Sequence, residues 1–273
     1  MVYFIGGSPV TTATPIPVRP PLPGALYGRT AVLIGGSSGI GLAAGVLLRS
    51  VGARVVLVGR DPDRLKAAVS RVRSAGPAED PDDAVLAVPG DAGDERTLAE
   101  AFDKAGHADH ALVTAGGLSG AGPLTGLSAD DIRTTLESRL WPAFAVARAA
   151  ADRLPPGGSL TFSSGILVLR PAPGLTAPLS VAGAVETLTK VLAVELAPAR
   201  IRVNTVRFGR IDTPLMRSRP GLDSDAAIAA AGSTAPLGRI GTAEEAAAAA
   251  LFLMANNYVT GQVVTVDGGE SLT

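Results

Sequence analysis

The stretch IGGSSGIG, Ile34 to Gly41, decides how the chain is read. It follows TAVLI, Thr30 to Ile34, whose continuous apolar run predicts a buried strand. It opens GIGLAAGVLLRSVG, Gly39 to Gly52, which predicts a helix with small and apolar residues all round. A glycine-rich turn between strand and helix is the context a pyrophosphate-binding site requires. Gly35 permits the tight turn, Gly39 lets the backbone approach an anion, and Gly41 lets the helix lie close to the sheet. The helix N-terminus adds free N–H groups and the positive end of its dipole.

Outward from that turn the same alternation repeats. RVVLVG, DAVLAVP, HALVTAGG, GSLTFSS, IRVNTV and QVVTV predict further strands. Between them fall helices opened by Asp61-Pro62 (N-cap and first helical residue), over DERTLAEAFDKAG, over Asp130 to Asp152, over Thr176 to Ala197 and over TAEEAAAAALFLMA. Apolar strands alternating with helices predict an α/β Rossmann fold: one doubly wound, parallel, seven-stranded sheet with helices on both faces. Such a sheet binds ligands outside the carboxyl ends of its strands, near the switch in strand order. The chain divides into a proline-rich arm, residues 1–24, and one domain, residues 25–273; prolines 9, 15, 17, 20, 21 and 23 deny the arm helix and sheet ladders.

Composition narrows the chemistry. There are 273 residues, enough for a continuous core, and no cysteine, which excludes disulfides, thiolate catalysis and Cys-type zinc sites. Twenty-four basic residues against twenty-five acidic ones give no footing for a nucleic-acid or anionic-membrane surface. No apolar run reaches the ~18 residues of a membrane span, and MVYFIGGSPV lacks a basic n-region, so a soluble cytoplasmic protein is expected. His107 and His110 flank the start of the fourth predicted strand, away from the ligand side, and are expected at the surface.

The glycine turn resembles the Thr-Gly-x-x-x-Gly-x-Gly turn of the short-chain dehydrogenase/reductase family, with Ile34 in the threonine position. The resemblance continues in order through Asp91 of VPGDAGD, AGG at Ala115 to Gly117, the serine of FSSG, ELAPARIRVNTV, GRIDTP and TGQVVTVDGG. It implies a nicotinamide cofactor, with Asp91 accepting from the adenine amino group, Ala115 and Gly116 along the ribose, and Ile211 and Thr213 at the carboxamide. Ser37, Ser38 and Ile40 between the glycines, with Ala92 and Gly117, complete the expected contact set. Arg60 follows Gly59, near where NAD-preferring relatives carry a carboxylate, so NADP(H) is the expected cofactor, its 2′-phosphate paired with the guanidinium. The alternative for Arg60 is a solvated arginine at a helix start. Relatives commonly dimerise through the helices equivalent to Asp130–Asp152 and Thr176–Ala197, so a homodimer or homotetramer is implied.

One departure dominates. The family's proton-donating tyrosine and its helper lysine, four residues on, fall at Leu179 and Gly183. The census leaves no substitute: the tyrosines are Tyr3, Tyr27 and Tyr258, and the lysines Lys66, Lys104 and Lys190. Lys190 lies about 10 Å beyond Gly183 along the same helix. The family's asparagine falls at Arg139, which can bind a carboxylate or stabilise an oxyanion, or can turn outward to a surface contact. Pro142 lacks the N–H that the Ser138 carbonyl would use, so that helix is expected to kink. Ser164 keeps the family's serine position; with Arg139 it forms the candidate catalytic set. GILVLRPAPGLTAP is the expected pocket wall, and MRSRPGLDSDAAIAAAGSTAPLG a mobile loop shaping specificity.

Three readings follow for a small organic substrate. The first is an NADP(H)-dependent oxidoreductase whose substrate, an imine or an activated alkene, needs no tyrosine. The second is a non-redox enzyme (cyclase, dehydratase or isomerase) using Glu137, Arg139 and the serines. The third is a catalytically silent nucleotide-binding subunit.

Overall fold

The computed structural model describes residues 24–77, 82–117 and 119–273. The expected arm, apart from Gly24, lies outside them. Seven strands form one sheet: β1 Thr30–Ile34, β2 Arg54–Gly59, β3 Val85–Pro89, β4 His110–Val113, β5 Ser159–Gly165, β6 Arg202–Phe208 and β7 Val263–Val266. Every pairing is parallel, in the order β3-β2-β1-β4-β5-β6-β7, so the strand order reverses between β1 and β4. The expected doubly wound α/β architecture is the one observed.

Among the described residues eight α-helices flank the sheet, α1 Gly39–Ser50, α2 Pro62–Arg73, α3 Glu95–Ala105, α4 Ala129–Ala151, α5 Thr176–Glu195, α6 Pro214–Arg217, α7 Asp225–Gly232 and α8 Ala243–Ala255, with short 3-10 turns and a separate two-residue ladder of Ile211–Asp212 with Gly241–Thr242. Two apolar layers result, because successive strand side chains point to opposite faces. Val32, Ile34, Leu160 and Phe162 meet α3, α4 and α5 on one face. Leu33, Leu57, Val206 and Phe208 meet α1, α2 and α8 on the other. Helix α5 is long and apolar enough to cross a membrane by length and composition alone, yet it carries Glu186 and Lys190 and packs on β5 and β6.

Local chemistry sets the boundaries. Asp61 accepts from the Arg64 amide at 3.0 Å with Pro62 as the first helical residue, as expected for α2. Ser128 and Asp131 form a reciprocal capping box that opens α4. Helix α4 is continuous through Pro142. The fourth strand stops at Val113, short of the predicted HALVTAGG: the Thr114 and Ala115 amides share the carbonyl of Ile34, the last residue of β1, and the ladder ends there. The stretch beyond Thr213, expected as a mobile loop, carries two helices with a small core of Met216, Ile228 and Ile240. Arg217 ties it down, reaching Asp212 at 2.6 Å and Asp225 at 2.8 Å.

The interior is not wholly apolar. Arg202 donates to the carbonyls of Leu253 and Met254, satisfying the C-terminal end of α8. His110, expected at the surface, is buried in β4, its Nδ1 2.9 Å from the Ser159 hydroxyl on the adjacent strand. His107 is exposed. Burial pushes the His110 pKa down to about 3 against the opposing pull of the Asp109 carboxylate, with the Arg202 and Arg29 charges adding to the lowering. The unfolded chain therefore takes up a proton near pH 6.5 that the folded one refuses, and stability is lost as pH falls from there toward 3. Thermal unfolding followed between pH 7 and 4 should show this loss, and His110→Asn should flatten it; an unchanged slope in the variant would refute the assignment.

Candidate functional site

The carboxyl end of the sheet gathers the residues singled out in the sequence. The turn from Gly35 to Gly41 crosses the end of β4 so closely that side chains are excluded. Gly35 has φ +95°, and a Cβ there would lie 2.6 Å from the Ala115 amide nitrogen and 2.8 Å from the Thr114 hydroxyl. A Cβ on Gly41 would collide with the Gly35 carbonyl. Gly39 has φ +52° and faces the Thr213 side chain, 3.4 Å from where its Cβ would be. So the glycine turn, Ala115 and Thr213 converge on one crevice at the reversal of strand order. Ser38 makes no side-chain cap to α1, which leaves the first amides of that helix open, whereas α2, α3, α4, α7 and α8 are all side-chain capped. The turn is a cradle that Cβ atoms would fill, and it fits a dinucleotide pyrophosphate.

The rest of the expected cofactor set lies around it. Ser37 covers Gly59: a Cβ on Gly59 would meet its hydroxyl at 2.7 Å, so no carboxylate side chain fits there as the chain stands. Arg60, next along, is exposed and makes no ion pair among the described residues. Asp91 accepts from the Gly93 amide at 2.8 Å through one oxygen, and Ala92 is buried behind it. Asp91 and Gly93 share a surface cavity of about 580 Å³ with Asp94, Glu137 and Trp141, whose indole N–H donates to the Gly93 carbonyl at 2.9 Å. Ile211 is buried, in a two-residue parallel ladder with Gly241, and Thr213 caps α6 through the Met216 amide. Ile40 and Gly117 are partly exposed beside the turn and the end of β4.

Arg139 turns inward. Its side chain packs on Gly116, whose φ of +127° only glycine adopts readily, with Arg139 Cγ 3.3 Å from where a Cβ would be. β4 and β5 last pair at Leu112 and Thr161, so β4 has left the sheet before Ser163, and Arg139 donates to the Ser163 carbonyl at 3.0 Å. No carboxylate pairs with it among the described residues, and desolvation holds its pKa below the usual arginine value. None of its nitrogens is both buried and unsatisfied, so its donors beyond the Ser163 contact are within reach of water.

Ser164 is buried and faces α5. Its hydroxyl donates to Glu186 Oε1 at 2.7 Å. Arg207 on β6 meets both oxygens of the same carboxylate, Nε to Oε1 at 2.8 Å and Nη2 to Oε2 at 2.5 Å, and donates to Thr265 on β7 at 3.1 Å. The carboxylate raises the Arg207 pKa in turn. A second rung, Thr189 to Thr205 at 2.6 Å, continues the polar contact between α5 and the sheet. Neither Glu186 nor Arg207 stood out in the sequence reading. The available signal was a lone acid within AVETL and a lone base within TVRFG, each in an apolar run bound for the core.

Leu179 and Gly183 lie two turns and one turn before Glu186, both partly exposed, with open space where a Gly183 Cβ would be. Pro178 and Ala182, buried beside them at the same spacing, offer no donor either. Among the described residues the tyrosines are elsewhere: Tyr27 packs against Gly52 and Tyr258 is fully exposed. Lys66, Lys104 and Lys190 are on helix exteriors. Arg170 in the expected wall donates to the Glu270 carbonyl at 3.1 Å, and Glu270 pairs with Arg210 at 2.7 Å.

Comparison with known proteins agrees with this architecture. A family model described as enoyl-(acyl carrier protein) reductase matches residues 35–271. Carbonyl reductase family member 4 of Danio rerio is 33% identical over 248 residues, covering 89% of this chain and 98% of the relative. The 3-oxoacyl-[acyl-carrier-protein] reductase FabG of Thermotoga maritima is 30% identical over 248 residues, covering 89% and 98%. The solved MalC reductase/Diels-Alderase of Malbranchea aurantiaca superposes with a TM-score of 0.82 at 29% identity, covering 92% of this chain and 99% of that one. The chain belongs to the short-chain dehydrogenase/reductase family, whose members are oxidoreductases that bind nicotinamide cofactors.

The crowding at Gly35 gives a direct test. Gly35→Ala should cost roughly 1–3 kcal/mol of stability, from the left-handed backbone and the clash with Ala115. Dinucleotide affinity should fall with it. An alanine variant with unchanged melting temperature and affinity would refute the cradle.

Proposed function

We propose that the protein is an NADP(H)-dependent reductase of a small organic substrate whose reacting bond is C=N. The observation that carries this reading is the Ser164 hydroxyl. Its single proton is committed to a carboxylate held by a bidentate arginine, so it does not polarise a substrate carbonyl. With no tyrosine or lysine near it among the described residues, the site lacks the acid that ketone reduction needs. An iminium carries its proton in with it, and reduction then needs a hydride alone. A bound reduced nicotinamide would supply that hydride. The chain's own part is to hold the dinucleotide through the Gly35–Gly41 turn, orient the nitrogen at Ser164 and keep Arg139 beside it on the Ser163 carbonyl. An activated alkene, with its oxyanion on Arg139, is the related substrate class.

The preference for NADP(H) rests on Arg60, exposed and without an ion pair among the described residues, beside a glycine covered by Ser37. Homo-oligomerisation is supported by apolar side chains left exposed on α4 (Ile132, Leu136, Phe144) and α5 (Val191, Val194). A second reading, a cyclase on the same crevice, draws support from the MalC relative, whose description names a reductase and a Diels-Alderase together.

Titration with NADPH and NADH tests the cofactor. Arg60→Ala should weaken NADPH binding about 10-fold or more, the loss of a charge-assisted contact, and leave NADH unchanged. Equal affinities in the parent protein would remove Arg60 from the account. Cyclic imines should then consume NADPH where ketones of the same skeleton do not. Reduction of the ketones at equal rates would overturn the C=N assignment.

A further inference from the structure

Two charges at the crevice are treated differently by the fold. Glu186 is neutralised by Arg207, which binds both of its oxygens. Arg139 has no carboxylate among the described residues, although it is partly withdrawn from water between Gly116 and the Ser163 carbonyl. An arginine drawn into a partly desolvated site without a protein counter-ion is half of a charge pair. Its planar fork suits a carboxylate, and one contact to a carbonyl occupies only one of its five N–H donors.

The neighbouring group is fixed in the opposite sense. Because the Ser164 proton points to Glu186, what its oxygen can offer a ligand is lone pairs. A ligand atom bound there must be a donor, an N–H or O–H. The two anchors belong to successive residues of β5, the Ser163 carbonyl that holds Arg139 and the Ser164 side chain. Consecutive strand residues advance by only about 3.3 Å, so the anion and the donor of the ligand are close together.

Resting on the C=N reading above, we infer that the substrate is an imino acid: an iminium with a carboxylate on the imine carbon. Arg139 holds the carboxylate and Ser164 accepts from the iminium N–H, positioned by Glu186 and Arg207. The iminium carbon gains the hydride, the C=N π pair returns to nitrogen as a lone pair, NADPH is oxidised to NADP+, and the amine formed later takes a proton from water. No protein acid is consumed in the step, which is why the chain does without a tyrosine.

Calorimetric titration of the full chain with NADP+ present, using three flat probes, tests this independently of turnover. The probes are pyrrole-2-carboxylate, pyrrole-2-carboxamide and N-methylpyrrole-2-carboxylate. The carboxylate should bind about 10-fold or more tightly than the amide. Arg139→Gln should erase that difference, and Arg139→Lys, which keeps the charge without the fork, should restore part of it. N-methylation should weaken binding several-fold in the parent and not in Ser164→Ala. Melting curves and NADPH affinity identify any variant that has lost its fold. Equal binding of carboxylate and amide, no binding of any probe, or a preference that survives Arg139→Gln overturns the anion site. A methylation effect that persists in Ser164→Ala overturns the acceptor role. Probe binding as expected, with no NADPH consumption on 1-pyrroline-2-carboxylate, would leave the anion site standing and sink the reductase reading.

Discussion

Thr114 marks the place where the architecture is decided. Three segments distant in sequence, the end of β1, the glycine turn and the end of β4, meet there with no room for a Cβ on Gly35 or Gly41. The Thr114 hydroxyl reaches the Ile34 and Gly35 carbonyls at 3.4 and 3.3 Å, and its amide bonds Ile34 as well. This close crossing pulls β4 out of the sheet after Val113 and frees the Ser163 edge of β5. It also sets α1 down with its first amides facing the crevice. The cofactor cradle and the inward path of Arg139 are thus two results of one steric constraint.

The polar core under α5 works by a different principle. A buried carboxylate is tolerated only with its oxygens satisfied, and Glu186 receives a serine hydroxyl and two guanidinium N–H groups. Such a cluster adds little net stability against an apolar replacement of the same volume, while removing one member leaves a charge stranded. Its contribution is directional. It commits the one proton of the Ser164 hydroxyl to the carboxylate and leaves that oxygen only its lone pairs, something no apolar packing can do.

How much of this could be read beforehand varied with the range of the interaction. The glycine turn, the Asp61-Pro62 helix start and the alternation of strands with helices were legible because each is written in contiguous residues with stringent backbone demands. His110 was misplaced because ADHALV reads as a polar strand entrance; its burial depends on Ser159, 49 residues on. The direction of Arg139 was open in the sequence and is settled by the space over Gly116. Glu186 and Arg207 meet across 21 residues and two elements, and neither pattern nor spacing announces the pair. The stretch after Thr213 reads as loop from its Ser, Gly and Pro content, but Arg217 joins Asp212 to Asp225 and closes a small core beneath it.

Trp141 is the single tryptophan of the chain, and it stands at Asp91 with its indole N–H on the Gly93 carbonyl. Its ring is partly open to water in the cavity it shares with Asp91, Asp94 and Glu137. The protein therefore carries one indole, which can be excited at wavelengths where its three tyrosines do not absorb, located beside Asp91 and nowhere else. Its emission is a single-site signal, free of the averaging that several indoles impose. A change in colour or quenching of that light reports on one wall of one pocket.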